Sequence, residues 1–315
     1  MTNQERKKYY NTLSDELSMI PLITQCSPPA LSTRAILSQR GYDAIYAVLD
    51  QVEAKYEFDL QKIIPLNQAM FSFWQQLCCC ESIEGELAAV QFVLFCCLAD
   101  KFLDSGRFTS QHKELICEKL RNEYFFSDTP FFSQAFPELD FLLNQVRQYL
   151  ISQNLSVREA DELSLHMQRA FDSEIFMYHN ALHDPDMVPE AHISLLTDKS
   201  VEFELTAFLI ASAPVCTPQM LESATYIGRL LWIIDDLWDL PEDVDSHRRN
   251  SLLFLNMPYL PVSLQDRFLH LQDLIPLYRD MLASDLQSLK ETVNPQLFHC
   301  VQWQISRWSR YIYDV

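Results

Sequence analysis

Only four glycines, Gly41, Gly85, Gly106 and Gly228, occur in 315 residues. Sandwiches, barrels and phosphate-cradling GxGxxG loops need glycine where the backbone turns tightly or nears a ligand, so β and dinucleotide-binding folds are disfavoured. The prolines fall mostly between long amphipathic segments, at Pro28-Pro29, Pro130, Pro137, Pro185, Pro189, Pro258 and Pro261. Proline is tolerated in the first turn of a helix and breaks its interior. An all-α chain follows, with helices expected over 31–38, 41–55, 66–79, 83–104, 110–123, 131–152, 156–181, 189–212, 217–240, 262–274, 276–290 and 294–313. No linker or repeat interrupts them, so one domain over 1–315 is expected, with 1–25 a flexible or partly ordered N-terminal segment.

A chain that is 48% hydrophobic can bury a large core. Its formal charge of −19 leaves no basic face for nucleic acid and disfavours anionic membranes. An acidic chain takes an anionic substrate only if divalent cations or a local basic cluster bridge the two. Nine cysteines, including Cys78-Cys79-Cys80 and Cys96-Cys97 in apolar surroundings and with no C-x-x-C pair, read as reduced core residues. The N-terminal stretch MTNQERKKYYNTLSDEL lacks the apolar run of a secretory signal, and no uninterrupted apolar run is long enough to span a bilayer. A cytoplasmic protein without stable membrane insertion is expected.

Two helices share an unusual plan. In VLFCCLADKFLD (93–104) and YIGRLLWIIDDLWDLPED (226–243) an apolar run ends in carboxylates four residues apart. Positions four apart differ by about 40° around a helix, so Asp100 and Asp104 share a face, as do Asp235 and Asp239. Like charges at that spacing repel, and they also meet the negative end of the helix dipole. Divalent metal removes both penalties, and Mg²⁺ takes one or two carboxylates per ion while leaving room for water and phosphate. Pro241, inside the second stretch, predicts a stop or kink before Asp243.

This double acidic pattern resembles the class I terpene synthase and trans-prenyltransferase (isoprenoid synthase) superfamily, and is most like a bacterial-type terpene cyclase with a modified first motif. Asp100-Lys101-Phe102-Leu103-Asp104 is similar to the family's DDxxD, with lysine in place of the second aspartate. Asp235, Asp239 and Asp243 stand at the spacing of the second metal-binding triad, and Asp236 fits the prenyltransferase version of that motif. Arg248-Arg249 follow where prenyltransferases carry a Gly-Lys pair, and Lys199-Ser200 resembles their Lys-Thr. Arg310-Tyr311 resembles the Arg-Tyr pair near the C-terminus of bacterial cyclases, while no sensor arginine is evident in the helix around Lys199. The resemblance spans about residues 92–311.

The resemblance implies a helical bundle with a central active-site cavity, Mg²⁺ held by Asp100, Asp104, Asp235, Asp239 and Asp243, and about three such ions with the bound diphosphate. It implies a prenyl diphosphate substrate bound by Lys199, Arg248 and Arg249, with Arg310 and Tyr311 among the catalytic groups, and a homodimer. The carbocation chemistry needs a dry pocket with aromatic faces. Of the many aromatics, Phe92 and Phe95 precede the first motif and Trp232 precedes the second, so these are expected to line it. His179 and His183 lack the glutamate of H-E-x-x-H and read as a polar helix end.

Three functions stay open. The first is a Mg²⁺-dependent terpene synthase, a lyase that ionises a linear prenyl diphosphate and cyclises the cation to a hydrocarbon or alcohol. The second is a chain-elongating trans-prenyltransferase, which needs an extra basic pocket for which Arg34 and Arg107 are the nearest candidates. The third is a non-catalytic helical scaffold.

Overall fold

Helix starts in this chain are set by side chains that replace missing backbone partners. Thr2 and Glu5 form a reciprocal capping box, Ser82 accepts from the Gly85 amide at 3.1 Å, and Ser156 and Glu159 repeat the box further on. The structure, a computed structural model, describes residues 2–24, 39–57, 82–121, 136–179, 189–213, 217–246, 250, 252 and 264–311. For residues 24, 39–42, 177, 189–198, 246, 264–272, 304 and 307–311 it describes the backbone alone. Among the described residues there is no strand. The helices are α1 (Asn3–Ser18), α2 (Pro21–Thr24), α3 (Gln39–Tyr56), α4 (Ile83–Asp104), α5 (Ser110–Leu120) and α6 (Pro137–Ser152). They continue with α7 (Val157–His179), α8 (Pro189–Ser212), α9 (Pro218–Ser246), α10 (Leu264–Thr292) and α11 (Pro295–Tyr311).

The chain divides into two compact units. One comprises Pro29–Ile175 and Glu202–Leu221 and is built on α4 and α6. These run antiparallel, with Gly85 beside Tyr149 at one end and Phe102 beside Phe136 at the other. A Cβ at Gly85 would stand 2.7 Å from the Tyr149 hydroxyl and 2.8 Å from the Ala211 carbonyl, which is why glycine sits there. The C-terminal end of α4 is clamped by aromatic contacts of Phe102 with Tyr56 (5.0 Å between centroids), Phe108 (4.8 Å) and Phe136 (5.4 Å). Buried Glu138 accepts from Lys55 Nζ at 2.8 Å, joining α3 to α6.

The other unit comprises Met1–Pro28, Phe176–Val201 and Glu222–Val315. Helix α1 packs on α10 and α11, burying Tyr9, Leu13 and Leu17, and Arg279 of α10 donates to Glu16 at 2.6 Å. Arg229 of α9 pairs with buried Asp285 of α10 at 3.1 Å. Helix α9 lies against the Ser200–Val201 backbone of α8 at Gly228, where a Cβ would come within 2.6 Å of the Val201 Cα.

Several expectations are corrected. The order allowed for within residues 1–25 takes the form of α1, a helix not expected there, held by its capping box and three buried side chains. Helices expected over 262–274 and 276–290 are one helix, α10, which runs through Pro276. Burial of Ile275, Tyr278 and Leu282 on both sides of that proline offsets its cost of about 3 kcal/mol. The helix expected to end at residue 240 passes Pro241 and reaches Ser246. The expected helices over 31–38 and 66–79 lie outside the described residues. No helix among the described residues is long and apolar enough to cross a membrane.

The tight contact at Gly228 makes a prediction. Gly228→Ala would drive its methyl into backbone atoms that have no rotamer to escape to, so it should destabilise the protein by about 1–3 kcal/mol in urea unfolding, despite alanine's better helix propensity. An unchanged or raised midpoint would show that α8 and α9 separate freely.

Candidate active site

The acidic cluster of α9 is assembled by one uninterrupted helix. Asp236, Asp239 and Asp243 fall within about 60° of one another around its axis, below Trp232 on the same face. Asp235 lies to one side and is exposed, Asp236 and Asp239 are half-buried, and Asp243 is buried. Trp232 is itself buried, and its indole Nε1 donates to Asp236 Oδ2 at 2.9 Å, fixing that carboxylate one turn away. Asn250, wholly buried, donates from Nδ2 to Asp243 Oδ2 at 3.0 Å and to the Asp236 carbonyl at 2.8 Å. The segment that follows the helix is thereby tied back onto it.

Helix α1 covers the same stretch of backbone. Tyr9 donates its hydroxyl to the Leu237 carbonyl at 2.5 Å, and Tyr10 donates to the Trp238 carbonyl at 3.3 Å while its ring meets the Trp238 indole. Arg6 pairs with Asp245 near the end of α9. A proline at position 241 cannot donate to the carbonyl of residue 237, so the Tyr9 hydroxyl takes up an acceptor the helix itself leaves open. That exchange explains why the helix does not stop at Pro241 and why Asp243 stays on it beyond Asp239.

Charge accumulates where the backbone is most constrained. Burial, then the negative charges of Asp235, Asp243, Glu242 and Asp236, push the Asp239 carboxyl well above the ordinary carboxylate range. Burial and the neighbouring Asp239 also raise the Tyr10 hydroxyl to about 12.

The first acidic motif belongs to the other unit. Asp104 is the last residue of α4 and is exposed, Asp100 is half-buried one turn earlier, and Lys101 is exposed. Ser105 then turns extended and returns its amide to the Lys101 carbonyl at 3.0 Å. Arg107 donates to the Tyr56 carbonyl at 2.7 Å and to Glu57 at 2.6 Å. Phe92 and Phe95, expected to line a pocket, are both wholly buried and stand among other aromatic rings. Phe92 meets Phe171 and Phe203 at 6.3 and 5.9 Å, and Phe95 meets Phe171 at 5.8 Å.

Lys199 is half-buried on α8, immediately before the Ser200–Val201 backbone that abuts Gly228. Arg248, Arg249, His183 and Arg34 lie outside the described residues, as do the side chains of Arg310 and Tyr311, whose backbone closes α11. Sequence reasoning missed Tyr9, Tyr10 and Asn250 and passed over Asp236 as a site residue. The signal available was Pro241 itself, since a proline within a helix obliges some other group to serve the carbonyl four residues before it.

No protein-family model matches the sequence, and no curated protein is significantly similar to it. Among solved structures it is similar to a cucumene synthase variant, at 10% identity over 92% of this chain and 97% of that one, with a TM-score of 0.56. The chain has the class I terpene synthase fold. A linalool/nerolidol synthase from Streptomyces clavuligerus, in complex with 2-fluorogeranyl diphosphate, matches at 12% identity over 94% of this chain and 96% of that one, with a TM-score of 0.47.

On this terpene synthase fold, the α9 cluster can be tested for its fit to Mg²⁺. Its donors are hard carboxylate oxygens on successive turns, which is the chemistry Mg²⁺ prefers. Among the described residues no three His, Cys, Asp or Glu side chains already converge on one point. Mg²⁺ takes one or two carboxylates and completes its shell with water and phosphate, so donors of this kind are compatible with it without forming a cage.

The raised Asp239 carboxyl has a stability consequence. Between the ordinary carboxylate pKa and the raised one the folded chain binds more protons than the unfolded chain, so stability falls as pH rises through that window. Without metal, Asp239→Asn should therefore unfold at a higher temperature than the unaltered protein at pH 7.5, with the gap closing toward pH 4. A lower midpoint for the variant at pH 7.5 would contradict the repulsion described for this cluster.

Proposed function

We propose that the protein is a Mg²⁺-dependent class I terpene synthase that cyclises a linear prenyl diphosphate. The observation that carries this reading is the unbroken α9, which brings Asp235, Asp236, Asp239 and Asp243 together at an electrostatic cost, in a chain with the terpene synthase fold. A fold is host to many activities, so the acidic helix bears the weight of the reading.

In this reading Asp235, Asp239 and Asp243 on α9 and Asp100 and Asp104 on α4 hold Mg²⁺. Bound Mg²⁺ supplies Lewis-acid stabilisation of the charge that develops on the diphosphate. Lys199, Arg248, Arg249 and Arg310 donate hydrogen bonds to the same oxygens, with the Tyr311 hydroxyl as a neutral donor. The allylic carbon–oxygen bond breaks with its electron pair leaving on diphosphate. An alkene of the same chain closes on the cation, and loss of a proton or capture of water ends the reaction. Trp232, held by its bond to Asp236, would present an aromatic ring beside the α9 cluster.

Chain elongation is less well supported, because it requires a free basic pocket for a second diphosphate and Arg107 is engaged by Glu57 and the Tyr56 carbonyl. The deciding experiment is incubation of the purified protein with Mg²⁺ and ten-, fifteen-, twenty- or twenty-five-carbon prenyl diphosphates, with and without isopentenyl diphosphate, followed by mass spectrometry. Cyclic hydrocarbons or alcohols from one substrate alone are expected. Longer diphosphates appearing only with isopentenyl diphosphate would establish elongation, and no turnover would favour a scaffold. Asp100→Ala and Asp239→Ala should each lower turnover by about 100-fold or more while the protein remains folded. Unchanged turnover in either variant would remove that residue from the metal site.

A further inference from the structure

We infer that Tyr9 is a positioning residue for the acidic helix, acting through the backbone gap that Pro241 makes. The metal part of this inference rests on the function proposed above; the backbone part stands on geometry alone. Pro241 lies between Asp239 and Asp243, and its missing N–H is the one that the Leu237 carbonyl would accept in a regular helix. The fully buried Tyr9 supplies an O–H to that carbonyl at 2.5 Å from a helix 228 residues earlier in the chain. Two neighbouring carbonyls take side-chain donors as well, Asp236 from Asn250 at 2.8 Å and Trp238 from Tyr10 at 3.3 Å. Three consecutive carbonyls on the turn before the proline are thus served by groups from outside the helix.

Losing the Tyr9 donor would leave a buried carbonyl unserved at the point where carboxylate repulsion and the proline ring both press the helix to open. Opening between Leu237 and Pro241 would rotate Asp243 away from Asp239. The donor is also secure, because burial and the surrounding negative charge hold the Tyr9 hydroxyl well above its ordinary pKa and keep its proton in place. Arg6 bound to Asp245 and Arg279 bound to Glu16 hold α1 in the position this requires.

A double-substitution cycle on the full chain tests the inference, because Pro241→Ala restores a backbone N–H aimed at the Leu237 carbonyl. Thermal unfolding and the Mg²⁺ concentration giving half-maximal protection at fixed inorganic pyrophosphate are read for the unaltered protein, Tyr9→Phe, Pro241→Ala and the double variant. Tyr9→Phe should lower the midpoint by roughly 2–5 °C and raise the Mg²⁺ requirement about five-fold or more, and in the Pro241→Ala background both effects should largely vanish. Equal losses in the two backgrounds would overturn the inference, since Tyr9 would then act only through packing. So would a lower midpoint with an unchanged Mg²⁺ requirement. If the unaltered protein gains no protection from Mg²⁺ and pyrophosphate, the proposed function fails, and with it the metal role of Tyr9. The cycle of unfolding midpoints would then judge the backbone role by itself.

Discussion

The carbonyl of Leu237 needs a donor that its own helix cannot give, and the organisation of the surrounding unit depends on where that donor comes from. It comes from α1, which is held in place by buried Leu13 and Leu17, by the Arg6–Asp245 pair and by the Arg279–Glu16 pair. Helix α1 is therefore a participant in the hydrogen bonding of α9 and more than a cover over it. The apolar side chains Leu237, Leu240 and Val244 are buried beside the carboxylate stripe on the same turns and add the packing that a proline-containing helix requires.

The two acid-bearing helices solve one electrostatic problem in different ways. Helix α4 stops at Asp104, so its carboxylates sit in a final turn that is open to water and is steadied by Phe102, Phe108 and Phe136. Water screens that pair well, and its cost is small. Helix α9 continues beyond Asp239, and its carboxylates crowd one face with partial burial and little screening. The penalty is concentrated at Asp239, where burial combines with the negative charges of Asp235, Asp243, Glu242 and Asp236. A site under such repulsion gains most from a cation, which is the physical link between the helix geometry and the proposed chemistry.

Much of this was legible in the chain itself. The scarcity of glycine and the spacing of apolar residues indicated an all-α fold, and the limits of α4 and α8 agree with those expected because Ser82 and Pro189 mark their starts clearly. Helix α1 was missed although Thr2 and Glu5 spell a capping box, since its polar composition hides the narrow stripe of Tyr9, Leu13 and Leu17. The helices through Pro241 and Pro276 were cut short because proline's local cost is visible in sequence and its tertiary compensation is not. Tyr9 and Leu237 are 228 residues apart, and no local pattern pairs them. The rings that meet Phe92 and Phe95, Phe171 and Phe203, come from distant parts of the sequence, and no local pattern groups them.

The dependence of α9 on α1 also sets an order of events during synthesis. The carbonyl that Tyr9 serves leaves the ribosome 228 residues after it, roughly 10–45 s later at ordinary elongation rates. Arg279, which holds Glu16, emerges later still. Through that interval α1 exposes an apolar stripe with nothing to dock against, and as a 16-residue helix it is marginal in isolation. The contacts that α1 makes with α9 and α10 therefore close only after the chain through Arg279 has been made, whereas most of the contacts elsewhere in this helical fold are local.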